Sequence, residues 1–244
     1  MIKIKDDHLQ LKKHDRKIWS VTLSNPEKRN ALSYEVVEGI ITIIDSAHKN
    51  NIRILVLKGT GRSFCSGFDL SNINNIDNKE LLWRFIRLEQ MLQMLTYSSF
   101  HTVVYAQGPI VGAGADLVVS CKYRIVDPSA SFLFPGLQFG LILGTRRLAN
   151  LIGMDNARDI LVKSRLVEAE EAKRIGLITE VINQNKWSIE ENILAADRVK
   201  LSVESMFNLY RITEMSTAHQ DMYELVESIT KGNLKNRIKE YIKK

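Results

Sequence analysis

The chain has 244 residues, 45% hydrophobic and 25% charged, the proportions of an ordinary soluble globular protein rather than of a disordered or fibrous chain. No apolar run approaches the ~18 residues that span a bilayer. The charged start, Met1-Ile2-Lys3-Ile4-Lys5-Asp6-Asp7, lacks a signal-peptide core, and Cys65 and Cys121 form neither a disulfide framework nor a metal-ligand spacing, so a reducing cytoplasm is expected.

The formal charge is +6, but the last fourteen residues hold six bases and one acid and contribute +5. The body is therefore nearly neutral, which argues against a nucleic-acid surface. Cations at the end of a last helix suit its dipole, and they would also attract a phosphate-bearing ligand.

In chain order, residues 8–23 alternate around His14-Asp15-Arg16-Lys17 and predict a hairpin. Ser33 is a good N-cap, and Val36, Val37, Ile40, Ile41, Ile43 and Ile44 give the buried stripe of a helix to about residue 50. A strand at 52–58 runs into Gly59-Thr60-Gly61-Arg62-Ser63-Phe64-Cys65-Ser66-Gly67-Phe68-Asp69-Leu70, with Asp69 expected to cap a following helix. An amphipathic helix is predicted over 77–97 and a buried strand over 101–106. A second glycine bend follows, Gly108-Pro109-Ile110-Val111-Gly112-Ala113-Gly114-Ala115-Asp116, then a helix over 112–120 and a strand over 122–126. Strand and helix alternate, so the sheet should be largely parallel. Past Gly144 strands become rare, and helices are expected over 144–163, 168–175, 186–201, 202–218 and 219–243.

Each bend joins a strand to a helix and leaves backbone N–H groups free to meet negative charge. Asp116 lies one helical turn after Ala113, so peptide donors and a carboxylate fall together. That combination fits proton transfer on a carbonyl compound. Gly112-x-Gly114 is no dinucleotide fingerprint, because Leu117 stands at the sixth position.

The segment Phe64-Cys65-Ser66-Gly67-Phe68-Asp69-Leu70 resembles the "FCAGADL" run of the crotonase (enoyl-CoA hydratase/isomerase) superfamily, and residues 108–116 resemble its "NGPAxGGGxEL" run. Asn25-Pro26-Glu27-Lys28-Arg29-Asn30-Ala31-Leu32-Ser33 is similar to its "NPEKRNALS" signature, and residues 167–178 to its "xxAEEAxxxGLV" run. The likeness covers nearly the whole chain in family order. It implies an α/β fold, a crotonase-like ββα spiral core over 1–190 with a helical C-terminal oligomerisation region over 191–244, assembled as a homotrimer or a dimer of trimers. Apolar stripes at Ile193, Val199, Met206, Leu209, Tyr223 and Val226 would form the contacts.

The resemblance further implies an acyl-CoA thioester as substrate, with no separate cofactor and no metal. The peptide N–H groups of Phe68 and Ala113 would hold the thioester oxygen, Gly67, Gly112, Pro135 and Gly136 would contact the substrate, and Asp116 would stand where the family's first glutamate stands. Arg29 and the stretch Phe64, Cys65 and Ser66 would receive the nucleotide, and Tyr241 would reach that of a neighbouring subunit. The family's second glutamate follows a proline; here the matching Pro135 is followed by Gly136.

One carboxylate orients and protonates a water poorly, so simple hydration is disfavoured. A double-bond isomerase or an atypical hydratase is expected. A malonyl-type decarboxylase is the alternative, and a catalytically idle scaffold, binding RNA through the basic tail, belongs to a different class. Glu89 is a reserve acid, and His101 is expected to be a satisfied core residue. Arg146 and Arg147 open a helix, an unfavourable dipole position unless each meets an anion.

Overall fold

Strand β3 (Ile54–Gly59) is apolar on both faces over Ile54 to Leu57 and lies inside a six-stranded sheet, in the order β1 (Leu9–His14), β2 (Ile18–Leu23), β3, β4 (His101–Ala106), β6 (Tyr123–Val126) and β9 (Glu180–Val181). The computed structural model describes residues 7–14, 17–187, 201–213 and 216–243. Strands β1 (Leu9–His14) and β2 (Ile18–Leu23) pair antiparallel as the expected hairpin, with the tip at 15–16 outside the described residues. β2 and β3 pair in parallel, as do β3 with β4 (His101–Ala106), β4 with β6 (Tyr123–Val126) and β6 with β9 (Glu180–Val181).

Burial on both faces explains why these strands read as continuous apolar runs. Leu55, Leu57 and Val104 face the main core, while Ile54, Val56 and Val103 form a smaller cluster on the opposite face with Tyr105 and Ile125. Helix α1 (Tyr34–Lys49) lays Val36, Val37, Ile40, Ile41, Ile43 and Ile44 into the main core. Its cap is Ser33, whose hydroxyl accepts from Val36 N–H at 3.2 Å, worth about 1 kcal/mol. Helix α2 (Asn78–Thr96) packs beside α1, capped by Asp77.

A small second sheet was not legible as strands: β5 (Pro109–Val111), β7 (Ser131–Leu133) and β8 (Val167–Glu168), each two or three residues long. Strands this short show no period. Helix α3 (Ala113–Val119) follows β5. The helix expected over 144–163 is two, α4 (Thr145–Ile152) and α5 (Met154–Lys163), because Gly153 between them sits at φ +83°. Helix α6 (Ala169–Arg174) follows.

Beyond it lie helices Val203–Thr213, Ala218–Thr230 and Leu234–Ile242, the last two separated by Gly232 at φ +83°. The expected helix over 186–201, the boundary at 190/191, and Ile193 and Val199 lie almost wholly or entirely outside the described residues. No described helix is long and apolar enough to cross a membrane.

Candidate active site

The two glycine bends interlock. Phe64 N–H donates to Gln107 O at 2.8 Å and Val111 N–H to Cys65 O at 3.2 Å, while Gln107 Nε2 donates to the carbonyls of Gly59 and Gly61. Gly67 sits at φ +94°, where only glycine is unstrained, and a Cβ there would lie 2.6 Å from Val111 O and 3.3 Å from Ala113 N. The backbone around Phe68 is thereby pressed against the start of α3.

Phe68 pairs in a one-residue parallel bridge with Leu32. Leu32 N–H donates to Gly67 O at 2.8 Å, and Asp69 N–H donates to Leu32 O at 3.1 Å. These bonds use the groups on either side of Phe68, so its own N–H faces the other way. Ala113 opens α3 directly after Gly112, and its N–H is one of the donors a helix start leaves without an intrahelical partner. Neither N–H donates a hydrogen bond among the described residues.

Both residues border a cavity of about 170 Å³. Its lining is mostly apolar, with Leu70, Phe85, Phe134, Leu141, Leu143 and Ile238 among the walls. Phe68 and Phe85 stack, their ring centroids 4.4 Å apart. Asp116 is the one carboxylate among the described lining residues.

Asp116 is 6% exposed. Burial pushes its carboxyl up to about 8, with Glu89 adding to the rise and Arg147 opposing it. Gly144, the residue before α4, packs on the carboxylate: a Cβ there would lie 2.1 Å from Asp116 Oδ1, and its φ of +66° also requires glycine. Two peptide donors and one carboxylate around an apolar cavity are the parts needed to hold an enolate oxygen and move a proton at a neighbouring carbon.

Among the residues marked from the sequence, Ser66, Gly67, Phe68, Gly112, Ala113, Asp116, Pro135, Gly136 and Tyr241 share this cavity. Phe64 and Cys65 are fully buried and do not line it. Burial pushes the Cys65 thiol up to about 12, so it is inert. Arg29 is exposed in a left-handed turn, and its carbonyl accepts from Ser66 N–H at 2.9 Å. Gly136 leaves its place in the wall without a side chain.

Tyr241 lines this chain's own cavity and packs on Phe139 at 5.2 Å between ring centroids. Asp69 caps no helix: it accepts from Ser71 N–H at 2.8 Å in a local turn and pairs with Lys28 at 3.3 Å, and α2 begins only at Asn78. His101 shares a hydrogen bond with the Tyr210 hydroxyl, and burial lowers its pKa to about 4.

Glu89 is not a free acid. Its two oxygens accept from Arg147 Nη1 and Nη2, both at 2.7 Å, in a buried pair. Arg146 bonds Asp221 at 2.8 Å, so both arginines at the start of α4 find anions. That unfavourable position was the one sequence sign of the pair.

The cavity is closed by the last helix. Lys235 Nζ donates to the carbonyls of Asn74 and Ile76, and Arg237 to those of Gly140 and Ser228. Ile238 and Tyr241 are thereby held over the site.

The arrangement of sheet, glycine bends and closing helices is the crotonase fold. Residues 13–231 match the enoyl-CoA hydratase/isomerase family. The chain is 30% identical over 214 residues to the Mycobacterium tuberculosis protein named "probable enoyl-CoA hydratase echA6", covering 85% of this chain and 86% of that one. A Bordetella parapertussis structure named for the enoyl-CoA hydratase/isomerase family superposes with a TM-score of 0.93 at 37% identity, over 97% of this chain and 99% of that one. The enoyl-CoA hydratase of Bacillus halodurans shares the fold, with a TM-score of 0.82 at 21% identity over 96% and 100% of the two chains. The protein belongs to the enoyl-CoA hydratase/isomerase family of enzymes.

Proposed function

We propose that this enzyme moves the double bond of an enoyl-CoA thioester with an apolar acyl group. The observation that carries the reading is that, among the described residues, the cavity is lined by a single carboxylate, Asp116, with Gly136 also in its wall. The ionised Asp116 takes a proton from C2 of a 3-enoyl thioester. The C–H electrons pass into the thioester carbonyl, and the resulting dienolate oxygen accepts hydrogen bonds from Phe68 and Ala113 N–H. Asp116 then returns the proton to C4, leaving the conjugated 2-enoyl thioester and the starting carboxylate. No water, metal or further cofactor enters this sequence.

A raised pKa suits the task, because a carboxylate that holds its proton more tightly is a stronger base toward carbon. Hydration needs a second group to orient water, which Gly136 does not supply. A malonyl-type substrate would bring its own carboxylate into a mostly apolar space, where desolvation of that charge is costly. The basic tail has a local use in Lys235 and Arg237, which favours a structural role over RNA binding.

We infer a homotrimer or a dimer of trimers in the cytoplasm. Leu209, Ile212 and Tyr223 turn outward on the late helices, whereas Met206 is buried within its own chain. Light scattering at micromolar concentration is expected to give at least three times the chain mass, and a monomer would overturn the assembly.

The test of function is a panel of 2-enoyl, 3-enoyl, 3-hydroxyacyl and malonyl-type CoA thioesters, followed together by chromatography and mass spectrometry for hydration, isomerisation and CO₂ loss. Interconversion of 2- and 3-enoyl forms at unchanged mass is expected to dominate. Dominant gain of water or loss of CO₂ would replace this reading.

A further inference from the structure

Arg147 and Glu89 form a bidentate ion pair in the interior, with side-chain exposures of 5% and 1%. Two charges in such a place cost desolvation that their attraction barely returns, so the pair is poorly explained as a source of stability. Arg147 Nε is also buried with no partner among the described residues. Its location is more telling. Arg147 lies in the first turn of α4, three residues after Gly144, and Leu148 N–H donates to Gly144 O at 2.9 Å. Gly144 is the residue in contact with the Asp116 carboxylate. Glu89 stands on α2 and is further held by Gln93 Nε2 at 2.8 Å.

We propose that the Arg147–Glu89 pair is a positioning device for Asp116, clamping the start of α4 so that Gly144 rests on the carboxylate, and fixing the net charge that the carboxylate faces. The charged groups around Asp116 are few. Arg147 faces it from α4 and favours its ionised form; Glu89 faces it from α2 and opposes that form. Asp221, on helix Ala218–Thr230, acts on Arg147 from beyond and is itself tied to Arg146 and the Thr217 hydroxyl. On the cavity side, among the described residues, stand the hydroxyls of Ser66, Thr145 and Tyr241 and no other charged side chain. The two partners therefore push Asp116 in opposite directions, which a scaffold role does not require.

The kinetic part of this inference rests on Asp116 as the proton shuttle; the charge part does not. The test is pH titration of the Asp116 carboxyl by infrared difference spectroscopy, the band assigned by its loss in Asp116→Asn. Glu89→Gln, which keeps shape and removes charge, should lower the midpoint by about one pH unit, and Arg147→Gln should raise it by a similar amount. Glu89→Gln alone suffices if Arg147→Gln does not fold. The acid limb of kcat/KM should follow the same shift wherever turnover is measurable. An unmoved midpoint in folded Glu89→Gln, or shifts in the same direction for both variants, would overturn the proposal. A matching infrared shift in an enzyme inactive on every enoyl thioester would instead leave it standing and overturn the isomerase reading.

Discussion

The floor and the roof of the cavity are built differently. The floor is backbone on backbone: two glycine bends bonded to each other, with Leu32 bracketing Phe68, so donor positions follow from where glycine stands. The roof is a helix that seats Leu234 and Ile238 in the core and is tied by the tips of two long side chains, Lys235 on the carbonyls of Asn74 and Ile76 and Arg237 on those of Gly140 and of Ser228 in helix Ala218–Thr230. A floor of peptide groups is stiff and indifferent to most side chains, whereas a roof seated on two apolar side chains and tied by flexible cations yields more readily. Under the proposed function, geometry for chemistry would reside below, and access and acyl selection above.

The sharpest way to break this contrast is Gly67→Ala. Its Cβ would press on Val111 O, and the displaced Phe68 and Ala113 donors should cost about 10³ in kcat, on the scale of a lost oxyanion donor, as measured by steady-state kinetics.

Asp116→Asn should retain acyl-CoA binding in calorimetry while kcat falls by ~10². With ionised Asp116 as the proposed base, wild-type kcat/KM should climb about tenfold per pH unit up to about pH 8 and then level. Stability should move the other way. The folded pKa lies above the ordinary 3.8, so the folded state keeps a proton that the unfolded state releases. Between about pH 4 and 8 the stability falls as pH rises, by up to ~1.4 kcal/mol per unit from this group, and Asp116→Asn should flatten that slope in denaturant titrations.

A change in the roof should be milder. Arg237→Ala is expected to raise KM about tenfold with kcat nearly unchanged, and to speed amide exchange in residues 234–242, through loss of hydrogen bonds worth ~1.5–3 kcal/mol each. Were kcat to fall as far as in Gly67→Ala, the division between floor and roof would be wrong. The smallest effect is expected from Gly136→Glu. Gly136 is outside the left-handed region and a Cβ meets Leu141 O at 3.1 Å, so the side chain fits with a small shift. Hydration of crotonyl-CoA should rise about tenfold over background in a spectrophotometric assay.

What could be read beforehand follows the same division. Glycine positions and the apolar stripe of α1 report local geometry, so both bends and the strand–helix order were legible, as was the family through its motifs. Partners distant along the chain were not. Glu89 and Arg147 are 58 residues apart, and nothing local to Glu89 distinguishes a paired acid from a free one. Nor did the pattern around Asp116 reveal that Gly144 would pack on it. The breaks at Gly153 and Gly232 escaped because apolar spacing continues across them while the backbone turns.

The walls of the cavity come from residues 66–70, 111–116, 134–148 and 238–241 together with Phe85 and Leu161, parts of the sequence that meet only in the folded chain. An acyl group seated there touches all of them at once and acts as a removable crosslink between remote parts of the sequence. Ligand that binds only this folded arrangement raises stability by RT ln(1 + [L]/Kd), about 2.7 kcal/mol at a hundredfold excess over Kd. Unfilled and filled enzyme should therefore differ in their lifetime under proteolysis, and the supply of acyl thioester would itself govern how long the protein survives.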